Sequence, residues 1–403
     1  MATRYLIVGA GLAGHQAALE LRRAAPGATI TLIGSESGLP YDRTSLSKSV
    51  LLQREPDLEK LELPGARDYA GQGVKYHPDL TVTAIDRSAR TVVTEGGAGF
   101  AYDKLLLATG SRPRRLVQDE TCHGAYLRVL DESLALRQAI ARRGHIVVIG
   151  GGFIGLETAA AARVNGCDVT VIEASSRLLA RGMPHFLSDW TLELHRAHGI
   201  TFELDTPVDE VRQSGSGWLV SAGGRERAAD AVLIGIGVVP NAELAGAADL
   251  KVEDGIVVDA FCRTDDPNIF AAGEVTSHPN GPDGRLRRVE SWKTAMDHGI
   301  AAARNMAGTP TPFANVPWFW SDQYDQNIQS VGFPAEGTRF MMVEGATGAA
   351  WALVALDRDE AIIGAVAANR GRDISVLKRA MQVGRAVPAA MRLVDIPSER
   401  CPA

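Results

Sequence analysis

The stretch that most constrains this chain is residues 146–173, IVVIGGGFIGLETAAAARVNGCDVTVIE. Ile146, Val147, Val148 and Ile149 form an apolar run that reads as a strand buried on both faces. Gly150, Gly151, Gly152, Phe153, Ile154 and Gly155 follow at once, in the pattern G-x-G-x-x-G. Gly150 permits a tight turn, Gly152 lets a pyrophosphate approach the backbone, and Gly155 lets helix and strand pack closely. The helix is expected to run to about Asn165, kept slim by the alanines at 159–162, with its free N–H groups aimed at phosphates. A second strand is expected over Asp168–Ile172, ending at Glu173. A carboxylate there accepts hydrogen bonds from a ribose 2′-hydroxyl and repels a 2′-phosphate. Strand, turn, helix, strand and acid together predict a site for NAD.

The chain carries the pattern twice. Gly9, Gly11 and Gly14 stand in a second G-x-G-x-x-G, between a strand expected at residues 5–8 and a helix expected over 13–24. The next strand is expected over Thr29–Ile33. Gly34 occupies the usual acid position, and the nearest carboxylate is Glu36. An internal repeat of this unit predicts two dinucleotide sites. The loop at 39–48 follows, with Ser45 or Ser47 expected to cap a helix; Arg43 and Lys48 are either solvated surface charges or cations for a pyrophosphate or a redox ring.

Composition narrows the rest. A chain of 403 residues, 45% hydrophobic and 22% charged, supports two or three globular domains. A net charge of −6 argues against a general nucleic-acid-binding surface. Cys122, Cys167, Cys262 and Cys401 lie far apart, with no C-x-x-C and no metal spacing, which predicts a reducing, cytoplasmic setting and no metal site. Strand-like sequence from Tyr5 leaves no room for a signal peptide, and no apolar run is long enough for a membrane span. The histidines show no ligand pattern; His185, His195 and His198 are expected on a solvated helix.

At the loop a resemblance becomes specific. Residues 40–48 resemble the P-Y-D-R-P-P-L-S-K stretch of FAD-dependent ferredoxin reductases, with Thr44-Ser45 where Pro-Pro is usual. Residues 102–110 resemble that family's strand and Ala-Thr-Gly turn (Ala108, Thr109, Gly110), and residues 234–241 its return strand. Residues 264–274 resemble its second FAD motif, ending in Gly273-Glu274 where Gly-Asp is usual. Glu290-Ser291-Trp292 resembles the segment on the flavin's pyrimidine side, with Thr294 and His298 near places that relatives give to Asn and Gln. Residues 317–324 match the opening of the family's C-terminal domain.

The resemblance implies an α/β fold with two Rossmann-like domains. The NAD domain, 113–241, is inserted in an FAD domain built from 1–112 and 242–313, and a small α+β domain closes the chain at 314–403. In that last part strands are expected at Arg339–Val343, Trp351–Leu356 and 361–367, then a helix through Ile374, Leu377, Ala380 and Met381. FAD is expected on Gly9, Gly11, Gly14, Glu36, Arg43, Lys48, Ala108, Thr109, Gly110, Gly273, Glu274, Glu290, Trp292 and Trp320. NAD is expected on Gly150, Gly152, Phe153, Ile154, Gly155, Glu157 and Glu173. Lys48, Glu157 and Trp320 are the implied catalytic residues: Glu157, expected on the first helical turn, pairs with Lys48, whose charge near the flavin favours its reduced, anionic form. From the residues alone Glu157 equally suits a cap of its own helix, and Trp318 and Trp320 equally suit a core.

The implied function is electron transfer from NADH through FAD to a small acidic iron–sulfur protein, a [2Fe–2S] ferredoxin or a rubredoxin, that feeds an oxygenase. The alternative is a flavin-binding NADH sensor resembling apoptosis-inducing-factor relatives. A thiol-based reductase needs a redox cysteine near the loop at 40–48, and none is there. Arg370, Arg372, Lys378, Arg379, Arg385 and Arg392 stand against the single acid Asp373 within residues 369–393, either a candidate docking face, which Arg285, Arg287 and Arg288 are expected to extend, or the ordinary charge scatter of a solvated helix end. Arg177, four positions beyond Glu173, is the residue able to offset its repulsion of a 2′-phosphate. Neither nucleic acid nor membrane is expected as a partner, and the chain is expected to be a monomer or weak dimer.

Overall fold

Apolar runs such as Tyr5-Leu6-Ile7-Val8 need cover on both faces, which a parallel sheet between two other layers provides. The structure, a computed structural model, describes residues 2–116 and 126–396 and builds two such sheets. The chain divides into two units. The first holds Met1–Asp42, Asp57–Arg112 and Val239–Pro317; the second holds Arg43–Pro56, Pro113–Val238 and Trp318–Ala403.

In the first unit five parallel strands lie in the order Ile269–Ala271, Lys104–Leu107, Arg4–Val8, Thr29–Ile33, Val74–His77. Alternation sends Tyr5 and Ile7 into one core and Leu6 and Val8 into another. The first core is closed by two helices, Leu12–Ala24 and Trp292–Met306. They touch so closely that a Cβ at Gly299 would sit 2.2 Å from the Ala13 carbonyl oxygen. The second core is closed by Val92 and Tyr102, around the three-stranded meander Val82–Asp86, Thr91–Thr94, Gly99–Ala101.

The second unit repeats the logic. Four parallel strands run Thr201–Glu203, Asp168–Ile172, His145–Ile149, Ala231–Ile234. Ile146 and Val148 join the core under the helix Phe153–Val164, while Val147 and Ile149 face Val211, Val220 and Ala222 of a second meander. The unit also holds a six-stranded sheet, in the order Trp318–Gln323, Gln326–Gly332, Ile362–Ala368, Trp351–Leu356, Arg339–Val343, Leu393–Asp395. The helix Gly371–Val383 buries Ile374 and Leu377, as its spacing foretold. Trp351, fully buried, meets Phe186 and Trp190 edge-on at 4.8 and 5.3 Å, so the helix His185–Ala197 packs on that sheet.

That packing corrects one expectation. His185 and His198 are exposed, but His195 has no solvent-accessible surface. It continues the i, i+4 line of Leu187 and Thr191, which is the buried face of its helix. Burial holds its imidazole neutral, with a pKa lowered to about 4.

Candidate functional site

The first glycine cradle is shaped by backbone contact. Gly9 donates its N–H to the Ile33 carbonyl at 2.8 Å and has φ +108. A Cβ at Gly9 would sit 2.1 Å from the Ala108 carbonyl oxygen, and one at Gly14 would sit 1.9 Å from that of Gly9. Gly11 has nothing within 4 Å of its Cβ direction, so the approach to the backbone is open. The helix that starts there has no side-chain cap and no acid in its first turn. Its first N–H groups and the positive end of its dipole are left for an anion, and the residues present fit a dinucleotide pyrophosphate. Gly34 also has a cause: a Cβ there would lie 2.7 Å from that of Ala10. Glu36, half-buried, accepts the Tyr41 hydroxyl at 2.5 Å.

Two further turns of the first unit, distant in sequence, touch this cradle in space. The Ala108-Thr109-Gly110 turn is clamped by Asn241: Thr109 Oγ1 donates to its carbonyl at 2.7 Å, and its Nδ2 donates to the Thr109 carbonyl at 2.9 Å. Gly273 has φ +83 and packs where a Cβ would meet that of Ala13 at 2.9 Å; half-buried Glu274 follows it. His298, noted above only as a departure from Gln, is buried and accepts the Gly273 N–H at Nδ1, 3.3 Å. It stacks on Phe313 at 4.2 Å and lies 4.8 Å from the buried His278. Burial lowers the His278 pKa to about 4 and drives that of His298 well down, which keeps the accepting nitrogen unprotonated. Ser291 caps the helix that begins at Trp292, accepting the Thr294 N–H at 3.3 Å, and Glu290 pairs with Arg288 at 2.8 Å.

The second cradle has the same frame. Gly150 donates to Ile172 at 2.8 Å, has φ +106, and would place a Cβ 2.4 Å from the Gly235 carbonyl oxygen. A Cβ at Gly155 would sit 2.2 Å from the Gly150 carbonyl oxygen, and Gly152 faces open space. The helix Phe153–Val164 again lacks a side-chain cap and a first-turn acid, so these residues too fit a dinucleotide. Ile154 is 45% exposed at its first turn. Glu173 is already engaged: Oε2 accepts the Gly151 N–H at 2.6 Å and Oε1 that of Ser175 at 2.7 Å. Each oxygen keeps a lone pair for a hydroxyl. Arg177 is spent on its own loop, donating to the Met183 and Ala180 carbonyls and to Ser188 Oγ, so it does not answer a 2′-phosphate from that position.

Beside this cradle the second unit buries a charged cluster. Glu157 is the fifth residue of its helix, not a first-turn cap, and is 3% exposed. Lys48 Nζ reaches Glu157 Oε2 at 2.9 Å; Ser47 Oγ donates to the same oxygen, and Ser321 Oγ donates to Oε1 at 2.6 Å. Ser47 therefore serves the carboxylate and does not cap the short helix Ser49–Leu52, whose N-cap is Lys48. The loop is pinned by Ser133 Oγ on the Leu46 carbonyl and by Arg43 on the Arg128 carbonyl, both at 2.7 Å. Lys48 Nζ also lies 5.9 Å from the Trp320 ring, which stacks on Trp318 at 5.2 Å, and Lys378 lies 5.6 Å over Trp318. Both tryptophans are half-buried, so neither is a core residue. No sequence signal tied Ser321 to Glu157, since 164 positions separate them.

The basic stretches are thinner than their sequence. Arg370 pairs with Asp373 at 2.5 Å, Arg385 with Asp357, and Arg392 with Glu344 at 3.4 Å. Arg372 and Arg379 are exposed without an ion pair among the described residues. Arg285 and Arg287 both meet Asp283, and Arg288 meets Asp254 and Glu290, so this second run is compensated within its own unit and does not extend a positive face. Cys167 and Cys262 are buried, with thiol pKa values raised by burial; Cys122 and Cys401 lie outside the described residues. Among the described residues no helix is long and apolar enough to cross a membrane, and no group of three ligating side chains gathers for a metal.

Comparison with known proteins matches residues 3–299 to the family described as "Pyridine nucleotide-disulphide oxidoreductase" and residues 318–398 to "Reductase C-terminal". The chain is 42% identical to the anthranilate 1,2-dioxygenase system ferredoxin–NAD(+) reductase component of Burkholderia cepacia, over 97% of each chain. It is 36% identical to the p-cumate 2,3-dioxygenase system ferredoxin–NAD(+) reductase component of Pseudomonas putida, over 99% of this chain and 98% of that one. A crystal structure of a covalent putidaredoxin reductase–putidaredoxin complex superposes with a TM-score of 0.88 at 32% identity, over 94% of this chain and 93% of that one.

Proposed function

Because the chain belongs to the pyridine nucleotide-disulphide oxidoreductase family and carries a reductase C-terminal domain, we propose that it is the ferredoxin–NAD(+) reductase of an oxygenase system. It is an oxidoreductase that uses FAD and NAD(H) and passes electrons to a ferredoxin. The observation that carries this reading is the pair of uncapped glycine cradles in one chain, each open at its middle glycine. FAD, when bound, supplies the change from hydride acceptance to single-electron release.

The remaining roles belong to the chain. Gly9, Gly11 and Gly14 with Ala108–Gly110 and Gly273–Glu274 hold FAD, and residues 113–241 form the NAD domain. Gly150, Gly152 and Gly155 receive the NAD pyrophosphate and Glu173 its ribose. Lys48, held by Glu157, keeps a positive charge at the flavin with Trp320 beside it. The protein acts in the cytoplasm as a monomer or weak dimer. Its acceptor is acidic and is steered by the exposed Arg372 and Arg379, with Lys378 on the same helix.

The test is NADH-driven reduction of a [2Fe–2S] ferredoxin at rising salt, against a small neutral dye. Ferredoxin reduction is expected to fall steeply beyond about 0.1 M, where the Debye length is about 10 Å, while dye reduction stays constant. Lys378→Ala with Arg379→Ala is expected to lower kon for ferredoxin only. No ferredoxin reduction at any salt would overturn the function; salt-insensitive reduction would overturn only the docking face.

A further inference from the structure

Behind Glu157 lies a run of buried polar side chains that the cradle does not use. Ser321, Gln323 and His195 have no solvent-accessible surface, and all three belong to the second unit. Ser321 and Gln323 share one face of the strand Trp318–Gln323 with Phe319, opposite the face of Trp318 and Trp320. Phe319 meets Phe153 edge-on at 4.8 Å, and one helical turn further along that helix Glu157 meets Ser321. Gln323 Nε2 donates to Ser321 Oγ at 2.9 Å, Gln323 Oε1 lies 2.7 Å from His195 Nε2, and His195 Nδ1 lies 3.4 Å from the Tyr324 hydroxyl.

The chemistry of these groups orders the chain. A carboxylate only accepts, so Ser321 gives its single hydrogen to Glu157 Oε1. The Ser321 oxygen then takes its donor from the Gln323 amide nitrogen, which turns Gln323 Oε1 toward His195. His195 must answer with Nε2–H, leaving Nδ1 as the acceptor for the Tyr324 hydroxyl. Every hydrogen in the run therefore points toward Glu157. A reversal at any link would leave a buried acceptor facing an acceptor, which is costly.

We propose that His195, Gln323 and Ser321 form a directional donor chain that fixes the Glu157 carboxylate against Lys48, with Gln323 as a positioning residue for hydride transfer. The function of the chain follows from which oxygens are used. Lys48 and Ser47 both sit on Oε2, and two donors on one oxygen leave the carboxylate free to turn about it. The Ser321 hydroxyl on Oε1 removes that freedom. Lys48 is the cation that meets Glu157; the titratable groups facing His195 are Tyr324 and, stacked on Tyr324 at 3.6 Å, the exposed His198. Burial and His198 keep His195 neutral, so its tautomer persists at neutral pH.

The proposal rests on the reading that Lys48 and Glu157 work beside the flavin, and the experiment separates the two. The FAD-loaded protein, labelled with 15N at histidine, is compared with Gln323→Glu, Gln323→Met, Ser321→Ala, Ser321→Thr and Glu157→Gln. Wild type is expected to show His195 as the neutral Nε2–H tautomer. In Gln323→Glu the side chain no longer donates to Ser321, and His195 is expected as the imidazolium at pH 7. Flavin reduction by NADH is expected to slow about tenfold in Gln323→Glu, Gln323→Met and Ser321→Ala, at unchanged NADH affinity and FAD content, as the loss of a hydrogen bond to a charged group implies. Ser321→Thr, which keeps the hydroxyl, is expected to restore the rate. An Nδ1–H tautomer in wild type, or wild-type rates in Gln323→Met and Ser321→Ala while Glu157→Gln is slow, would overturn the chain. A wild-type rate in Glu157→Gln would overturn the role of the Lys48–Glu157 pair itself, while the tautomer still shows whether the chain exists.

Discussion

The two cradles share a backbone and differ in what surrounds it. Gly9 and Gly150 make the same bond to the end of the next strand, both at 2.8 Å, with φ values of +108 and +106. One residue later in the frame, Gly34 and Glu173 each donate an N–H at 2.9 Å, to His77 and to Glu203. The side chains at that place are opposite. In the first cradle Ala10 carries a Cβ and position 34 has none; in the second Gly151 has none and Glu173 leans over it. Only one partner of the contact has room for a side chain. Backbone frame and ligand reading are thus separable, and the repeat can hold two dinucleotides with different contacts at the ribose end.

The helices differ as well. His15 and Leu156 occupy equivalent places, and both are fully buried. His15 bonds the Tyr69 hydroxyl at 2.5 Å and lies 3.2 Å from the Pro64 carbonyl; burial lowers its pKa to about 4. With His278 and His298 the first unit buries three neutral imidazoles, and the second buries His195. A buried neutral imidazole takes its proton only on unfolding, so its stability is present above the ordinary pKa of about 6.5 and is lost as pH falls toward the folded value. For a folded pKa near 4 the loss at pH 5 is about 2 kcal/mol per histidine. Hydrogen exchange at pH 7 and pH 5 is expected to show protection falling first in the first unit, with release of flavin. Equal loss in both units would break this contrast.

The glycines give a second separation. Alanine at Gly9 or Gly150 must adopt a positive φ, costing about 1–3 kcal/mol, and also collides with a carbonyl oxygen. Gly9→Ala is expected to yield a colourless protein. Gly150→Ala is expected to stay yellow while its flavin is no longer reduced by NADH. A visible spectrum before and after NADH reads both; loss of flavin in Gly150→Ala would mean the two cradles are not independent.

Both cradles were legible because their information is local: a strand, a turn and a helix within about thirty residues. The strands at Arg339–Val343 and Trp351–Leu356 were legible for the same reason. Three features were not. His195 is buried by a sheet whose first strand begins more than a hundred positions later, though its i, i+4 line from Leu187 and Thr191 carried a hint. The partners of Glu157 come from residues 47, 48 and 321, a convergence that only the tertiary fold creates. The charge of residues 369–393 looked larger than it is because Asp357 and Glu344, which answer Arg385 and Arg392, lie outside that window.

The smallest effect tests what the contrast at Gly34 and Glu173 means. Glu173 holds the Gly151 and Ser175 N–H groups and keeps lone pairs for a ribose diol, while Arg177 is committed to Met183, Ala180 and Ser188. A 2′-phosphate therefore meets a carboxylate with no compensating guanidinium from residue 177. Preference for NADH over NADPH in kcat/KM follows, and Glu173→Ala is expected to reduce it about tenfold, near 1.4 kcal/mol. Gly151→Ala asks the same question from the other side. Its Cβ would fall 3.2 Å from Glu173 Oε2 and 2.5 Å from Leu178 Cδ2, displacing the carboxylate without removing it. A smaller loss of preference is expected, with flavin content unchanged. The first cradle supplies the control: Ala10→Gly opens room at position 34 where no acid stands, and FAD content should not move. Equal kcat/KM for the two cofactors in wild type would show that the carboxylate at 173 serves the turn alone and that the two cradles differ only in packing.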